Sequence, residues 1–127
     1  MSLRTPLGAV LGRGAAKHGV QHWWMQRATA VALVPLTLWL LCWLFRLPLT
    51  DHGAVSAWIA AGWHPVWLSL TVLAMAWHSK LGVQVVVEDY VHGNAARTVT
   101  LLAVNFAHVL IAAAGVYAVL RVAFRSA

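Results

Sequence analysis

Three long apolar runs, each closed off by charge, constrain this chain more than any other feature. They extend from Ala28 to Phe45 between Arg27 and Arg46, from Pro65 to Val87 ahead of Glu88 and Asp89, and from Thr98 to Leu120 between Arg97 and Arg121. A helix rises about 1.5 Å per residue, so each run reaches across most or all of a hydrocarbon core about 30 Å thick. Lipid offers no partner to a backbone N–H or C=O, so spans of this length are helical. The expected fold is an all-α membrane protein with three transmembrane helices. It reads as one domain over 1–127, with an N-terminal arm at 1–26 and spans at about 27–46, 65–88 and 98–120. Three crossings consume most of the 127 residues, which excludes a large soluble catalytic domain.

Composition agrees: 61% of residues are hydrophobic and 9% charged, where a soluble domain carries about a quarter charged. Nine Lys+Arg against three Asp+Glu give a net charge of +6. Nucleic-acid binding is excluded, because it needs a dense, solvated basic face and these cations are scattered among apolar runs. Cys42 is the single cysteine, so no intrachain disulfide forms, and it reads as a small buried hydrophobe. Met1 to Gln26 is basic and free of acid but lacks the apolar core and small-residue cleavage site of a secretory signal, so a retained arm on the membrane surface is expected. Pro35, inside the first run, predicts a local kink. Trp58, Trp63 and Trp67 in and after the loop Leu47 to His64 read as an interfacial belt, and Pro65 suits the first turn of the second helix.

Basic residues set the orientation. Arg4, Arg13, Lys17 and Arg27 precede the first span and Arg97 lies between the second and third, while Arg46, Arg121 and Arg125 fall on the other side. The positive-inside rule then places the N-terminus and the Glu88–Arg97 connection in the cytoplasm or, for a mitochondrial inner-membrane protein, in the matrix. The expected location is the bacterial inner membrane.

Function in so apolar a chain resides in the polar groups kept at depth, each ionisable one costing about 2.5–3.5 kcal/mol at the bilayer centre. They are His78 and Lys80 in the second span and Asn105 and His108 in the third, with Arg27, Glu88, Asp89 and Tyr90 at the interface. His78 precedes Asp89 by eleven residues, about 16 Å of helix, and at about 100° per residue the two share a face with Gly82 and Val85. An imidazole one turn before a glycine offers an axial nitrogen and a bare helix surface for a planar macrocycle. The same pair also suits a histidine bonded to a neighbouring helix beside a close-packing glycine. His108 reaches a similar depth, but helices packed about 8–10 Å apart leave no room for a macrocycle between two intrachain imidazoles, so it reads as a packing residue. Asn105 reads likewise. Lys80, two positions from His78, lies on the far side of the helix and signals a second buried side. In Glu88-Asp89-Tyr90 a phenol can donate to a carbonyl and a carboxylate can relay protons; a solvated helix end with an interfacial tyrosine fits the same residues.

The string His78-Ser-Lys-Leu-Gly82-Val-Gln-Val-Val-Val-Glu-Asp89-Tyr90-Val-His92-Gly93 resembles the signature of the succinate dehydrogenase hydrophobic membrane anchor family, the D subunits of respiratory complex II. A second block, His22-Trp-Trp-Met-Gln-Arg27-Ala-Thr-Ala30 ahead of Pro35, resembles that family's first helix. Together the blocks carry the resemblance from about Gly19 to Leu120. It implies that His78 is one axial ligand of a haem b iron, with the other ligand from a companion cytochrome b subunit. It further implies Arg27 near a haem propionate, Gly82 at the haem's closest approach, and a ubiquinone site in which Tyr90 bonds a carbonyl and Asp89 supports proton transfer. The implied partners are a flavoprotein subunit holding FAD, an iron–sulfur subunit, the cytochrome b subunit, ubiquinone and the lipid bilayer. The chain itself would perform none of the succinate chemistry. Lys80, His108, His22 and His92 receive no role. Two alternatives stand beside this reading: a haem-free structural anchor that binds quinone, and a free-standing b-type cytochrome using His78 with His108.

Overall fold

The computed structural model describes residues 17–125 of the chain, and among these every regular element is a helix. The order is α1 (Lys17–Leu44), α2 (His52–Ala60), α3 (His64–Tyr90) and α4 (Asn94–Arg125). Three of these are long and apolar enough to cross a membrane: Val20–Leu44, His64–Tyr90 and Asn94–Arg125. All three expected crossings are present; α3 and α4 outrun the expected bounds at both ends, whereas α1 begins ten residues early and ends at Leu44, two residues short of the expected 46. A charge ends an apolar run without ending the hydrogen-bond ladder, and Arg, Gln and Lys are good helix formers. Residues 17–26, expected as a surface arm, are therefore the first turns of α1, and α4 continues through Arg121 to Arg125. The 25, 27 and 32 residues of the three spans correspond to about 38, 40 and 48 Å of helix, so they tilt or project beyond the core. At Pro35 α1 continues without a break. Thr37 donates to the carbonyls of Leu33 and Val34 (2.6 and 3.1 Å), which supplies local hydrogen bonds just past the proline.

The helix α2 departs from the expected loop. Asp51, in extended conformation, accepts from the N–H groups of Gly53 and Ala54 at 2.8 and 3.2 Å and so caps a nine-residue helix. Gly62 follows with φ +52°, the left-handed turn that lets the chain reverse into α3. Pro65 sits in the first turn of α3, as expected. The tryptophans of this region divide. Trp63 is 74% exposed, whereas Trp58 is drawn inward, stacking on His64 (centroids 4.6 Å apart) and lying 5.8 and 5.6 Å from Trp39 and Trp43 of α1. The belt is thus partly a cluster that ties α2 to the ends of α1 and α3. His64 reinforces it by donating from Nδ1 to the Trp58 carbonyl at 2.7 Å.

The middle span organises the bundle. Both α1 and α4 pack against α3, α2 packs on α4 and α3, and α1 and α4 do not pack against each other. Among the described residues, four of the five that are buried, Thr71, Ala76, Leu81 and Val87, accordingly belong to α3, and the fifth, Leu36, to α1. Cys42, expected as a buried hydrophobe, is exposed on α1. The helices are apolar around most of their circumference, as lipid and partner helices require.

Candidate functional site

His78 is half-buried on α3 and turns toward α1, where its Nδ1 lies 2.9 Å from Thr29 Oγ1. Its Nε2 makes no hydrogen bond among the described residues and is not sealed inside the bundle. Gly82, one turn on, faces the same helix: a Cβ there would lie 3.9 Å from the Gln26 amide nitrogen, an ordinary contact. The shared face of His78 and Gly82 is thus as the spacing predicts. Above them the α1–α3 seam is polar. His22 and Gln26, four residues apart on α1, each carry a buried side-chain atom without a partner, Nε2 and Oε1 respectively. Sequence reasoning gave His22 no role and passed over Gln26 and Thr29. The i, i+4, i+7 spacing of 22, 26 and 29 was the available signal, because it puts three polar side chains on one stripe of an otherwise apolar helix.

Arg27 stands apart from this seam. It is two positions from Thr29, about 200° around the helix; it is exposed, and its guanidinium carbon lies 4.2 Å from the Trp23 ring centroid. The structure therefore does not bring Arg27 beside His78. Asp89 and Tyr90 are exposed at the C-terminal end of α3, Tyr90 by 78%. They are presented there because the helix ends at Val91 in extended conformation, while His92 donates from Nδ1 to the Tyr90 carbonyl at 3.1 Å. Glu88 of the same cluster is turned back to Gln84, which donates to it at 2.8 Å.

His108 belongs to the opposite side of α3. Its Nδ1 donates to the Val104 carbonyl at 2.8 Å and its Nε2 lies 3.2 Å from Ser79 Oγ, so both nitrogens are engaged and it shares no site with His78. This is the packing role expected for it. Lys80 also borders α4, on the side away from His78 as its spacing predicts. Its Nζ is 5.0 Å from the Trp77 ring centroid, and it edges an apolar α3–α4 groove of about 620 Å³. Asn105 lines a neighbouring cleft with Lys80 and Gln84.

These donors fit one half of a shared macrocycle site. No group of three or more His, Cys, Asp or Glu that could cage a metal ion occurs among the described residues. A haem held between two polypeptides asks each for a single imidazole with one nitrogen free, and His78 offers that. In the same seam the orphaned His22 Nε2 could donate to a carboxylate when protonated, whereas the orphaned Gln26 Oε1 only accepts and suits a donor.

The sequence profile described as succinate dehydrogenase/fumarate reductase transmembrane subunit matches residues 1–114. The chain belongs to that family. Among its curated relatives is the succinate dehydrogenase hydrophobic membrane anchor subunit of Rickettsia bellii, 34% identical over 106 residues, covering 84% of this chain and 85% of the relative. The subunit of the same name from Paracoccus denitrificans is 30% identical over 117 residues, 92% of this chain and 90% of the relative. The succinate dehydrogenase membrane anchor subunit of Reclinomonas americana is 28% identical, covering 70% of this chain and 77% of the relative. No solved structure gives a significant match.

Proposed function

We propose that this chain anchors succinate dehydrogenase in the bacterial inner membrane, supplies one axial ligand to a haem b through His78, and forms part of a ubiquinone site with Tyr90 and Asp89. The observation that carries this reading is the pairing, on one helix, of an imidazole with one nitrogen engaged by Thr29 and the other free, with an exposed Asp-Tyr pair eleven and twelve residues on.

When bound, haem b supplies a one-electron carrier at mid-depth. His78 would hold the iron, and Gly82, one turn on, would let the ring approach α3 closely. A propionate contact for Arg27 rests on the family resemblance alone, because the exposed Arg27 lies beside Trp23, away from the His78 side of α1. The second ligand comes from a cytochrome b partner. FAD and the iron–sulfur clusters reside in the flavoprotein and iron–sulfur partners, where succinate is oxidised. At the quinone site the Tyr90 hydroxyl donates to a ubiquinone carbonyl, which orients the ring and favours charge building on that oxygen. The Asp89 carboxylate passes a proton from the aqueous edge toward the same oxygen. Reduction of ubiquinone to ubiquinol takes two electrons, delivered by the partners, and two protons from this side. The basic groups on the N-terminal side suit both anionic lipid and docked partners.

A reduced-minus-oxidised spectrum of the complex purified in mild detergent is expected to show a b-type band that His78→Leu abolishes. Absence of the band in the wild type leaves a haem-free anchor. Tyr90→Phe is expected to lower quinone reduction by about tenfold, the worth of one hydrogen bond, while succinate oxidation by a soluble artificial acceptor continues. Equal loss of both activities would remove Tyr90 from the quinone site.

A further inference from the structure

Thr29 Oγ1 lies 2.8 Å from the Met25 carbonyl and 3.0 Å from the Gln26 carbonyl, as well as 2.9 Å from His78 Nδ1. A hydroxyl carries one proton, and a carbonyl oxygen only accepts. Both backbone contacts therefore need the Thr29 proton, and its lone pairs are what remain for His78. Nδ1 must then be the donor. An imidazole protonated at Nδ1 bears its lone pair on Nε2, the nitrogen left free of hydrogen bonds among the described residues.

We propose that Thr29 is the positioning residue of His78: it fixes the Nδ1–H tautomer and holds the ring so that Nε2 faces the haem iron. The proposal rests on the haem reading given above. The back-bond to the preceding turn locks the threonine into one rotamer, and that rotamer delivers Oγ1 to α3 across 49 residues of sequence. An Nε2–H imidazole could not ligate through Nε2, so the tautomer decides whether the site binds iron at all. Donation from Nδ1–H also makes the imidazole more basic, which favours the ferric over the ferrous state.

The test compares Thr29→Val, which keeps the shape and removes the hydroxyl, with Thr29→Ser, which keeps the hydroxyl, both in the whole complex. Haem-to-protein ratio and midpoint potential are measured, with succinate oxidation by a soluble acceptor as an integrity control. Thr29→Val is expected to weaken haem retention about 10–100-fold, the usual cost of losing a ligand's outer partner, and to raise the potential of whatever haem remains. Thr29→Ser is expected to restore both. Wild-type haem content and potential in Thr29→Val would overturn the role of Thr29 and leave the haem reading intact. A wild-type complex with no b-type band overturns the haem reading instead. Independently of haem, ¹⁵N NMR of the full-length, histidine-labelled chain in lipid vesicles, assigned against His78→Gln, is expected to show His78 protonated at Nδ1. Protonation at Nε2 overturns the proposal, and this measurement needs no Thr29 variant to assemble.

Discussion

Gly115 of α4 meets α3 where a single carbon decides the packing. A Cβ there would lie 2.7 Å from Val72 Cγ1 and 3.5 Å from Cγ2. Alanine is the better helix former by about 0.8–1.0 kcal/mol, but overpacking costs about 1–3 kcal/mol, and a β-branched valine in a helix has little freedom to turn aside. Gly115→Ala is therefore expected to lower the thermal stability of the detergent-purified complex, and adding Val72→Ala to recover it. An unchanged melting temperature in the single variant would show that the helices separate without cost. His108, with both nitrogens already bonded, is expected to tolerate replacement by Leu with full haem content, read from the reduced-minus-oxidised spectrum; loss of haem would instead favour a free-standing cytochrome. Residues of this kind differ in how legible they are. The side of the helix on which Lys80 falls followed from its offset from His78 alone. Thr29, Gln26 and Ser79 acquire meaning only from the helix that packs opposite, which no local pattern states.

At the scale of elements, hydrophobic run length located all three spans, because lipid leaves the backbone no alternative to a helix. Run length was less informative about their ends. Lys17–Leu44 begins ten residues before Arg27, the charge that bounds the apolar run, since the ladder of hydrogen bonds is indifferent to where the bilayer surface lies. The short helix α2 escaped notice because Gly53 and a nine-residue length argue against a helix on propensity, while its real support is the Asp51 cap and the packing of Trp58. That support is separable. Asp51→Ala removes the acceptor for two N–H groups and is expected to destabilise α2 by about 1 kcal/mol, seen as roughly fivefold faster amide exchange through His52–Ala60 with the long helices unaffected. Equal protection in the variant would assign the stability of α2 to the aromatic cluster alone.

The whole molecule is an open arrangement in which α1 and α4 share α3 and not each other, leaving broad apolar faces for lipid and partner subunits. Such a bundle has no internal feature that fixes its direction across the membrane, so orientation falls to the charges at its ends. Five Lys and Arg, namely Arg4, Arg13, Lys17, Arg27 and Arg97, lie on the N-terminal side of the three spans, against Arg46, Arg121 and Arg125 on the other. Only cations near the span ends count under the positive-inside rule, so the acids Glu88 and Asp89 do not offset the first group. The margin is small in number, and by this rule the Asp89–Tyr90 end is expected on the cytoplasmic side. Leu49, 58% exposed in the link between α1 and α2, samples the opposite side. In a chain carrying Cys42→Ala, Leu49→Cys is expected to react with a membrane-impermeant maleimide in intact cells with a permeabilised outer membrane. Labelling only after the inner membrane is broken would invert the molecule, moving Tyr90 to the far face and separating the quinone site from any cytoplasmic partner.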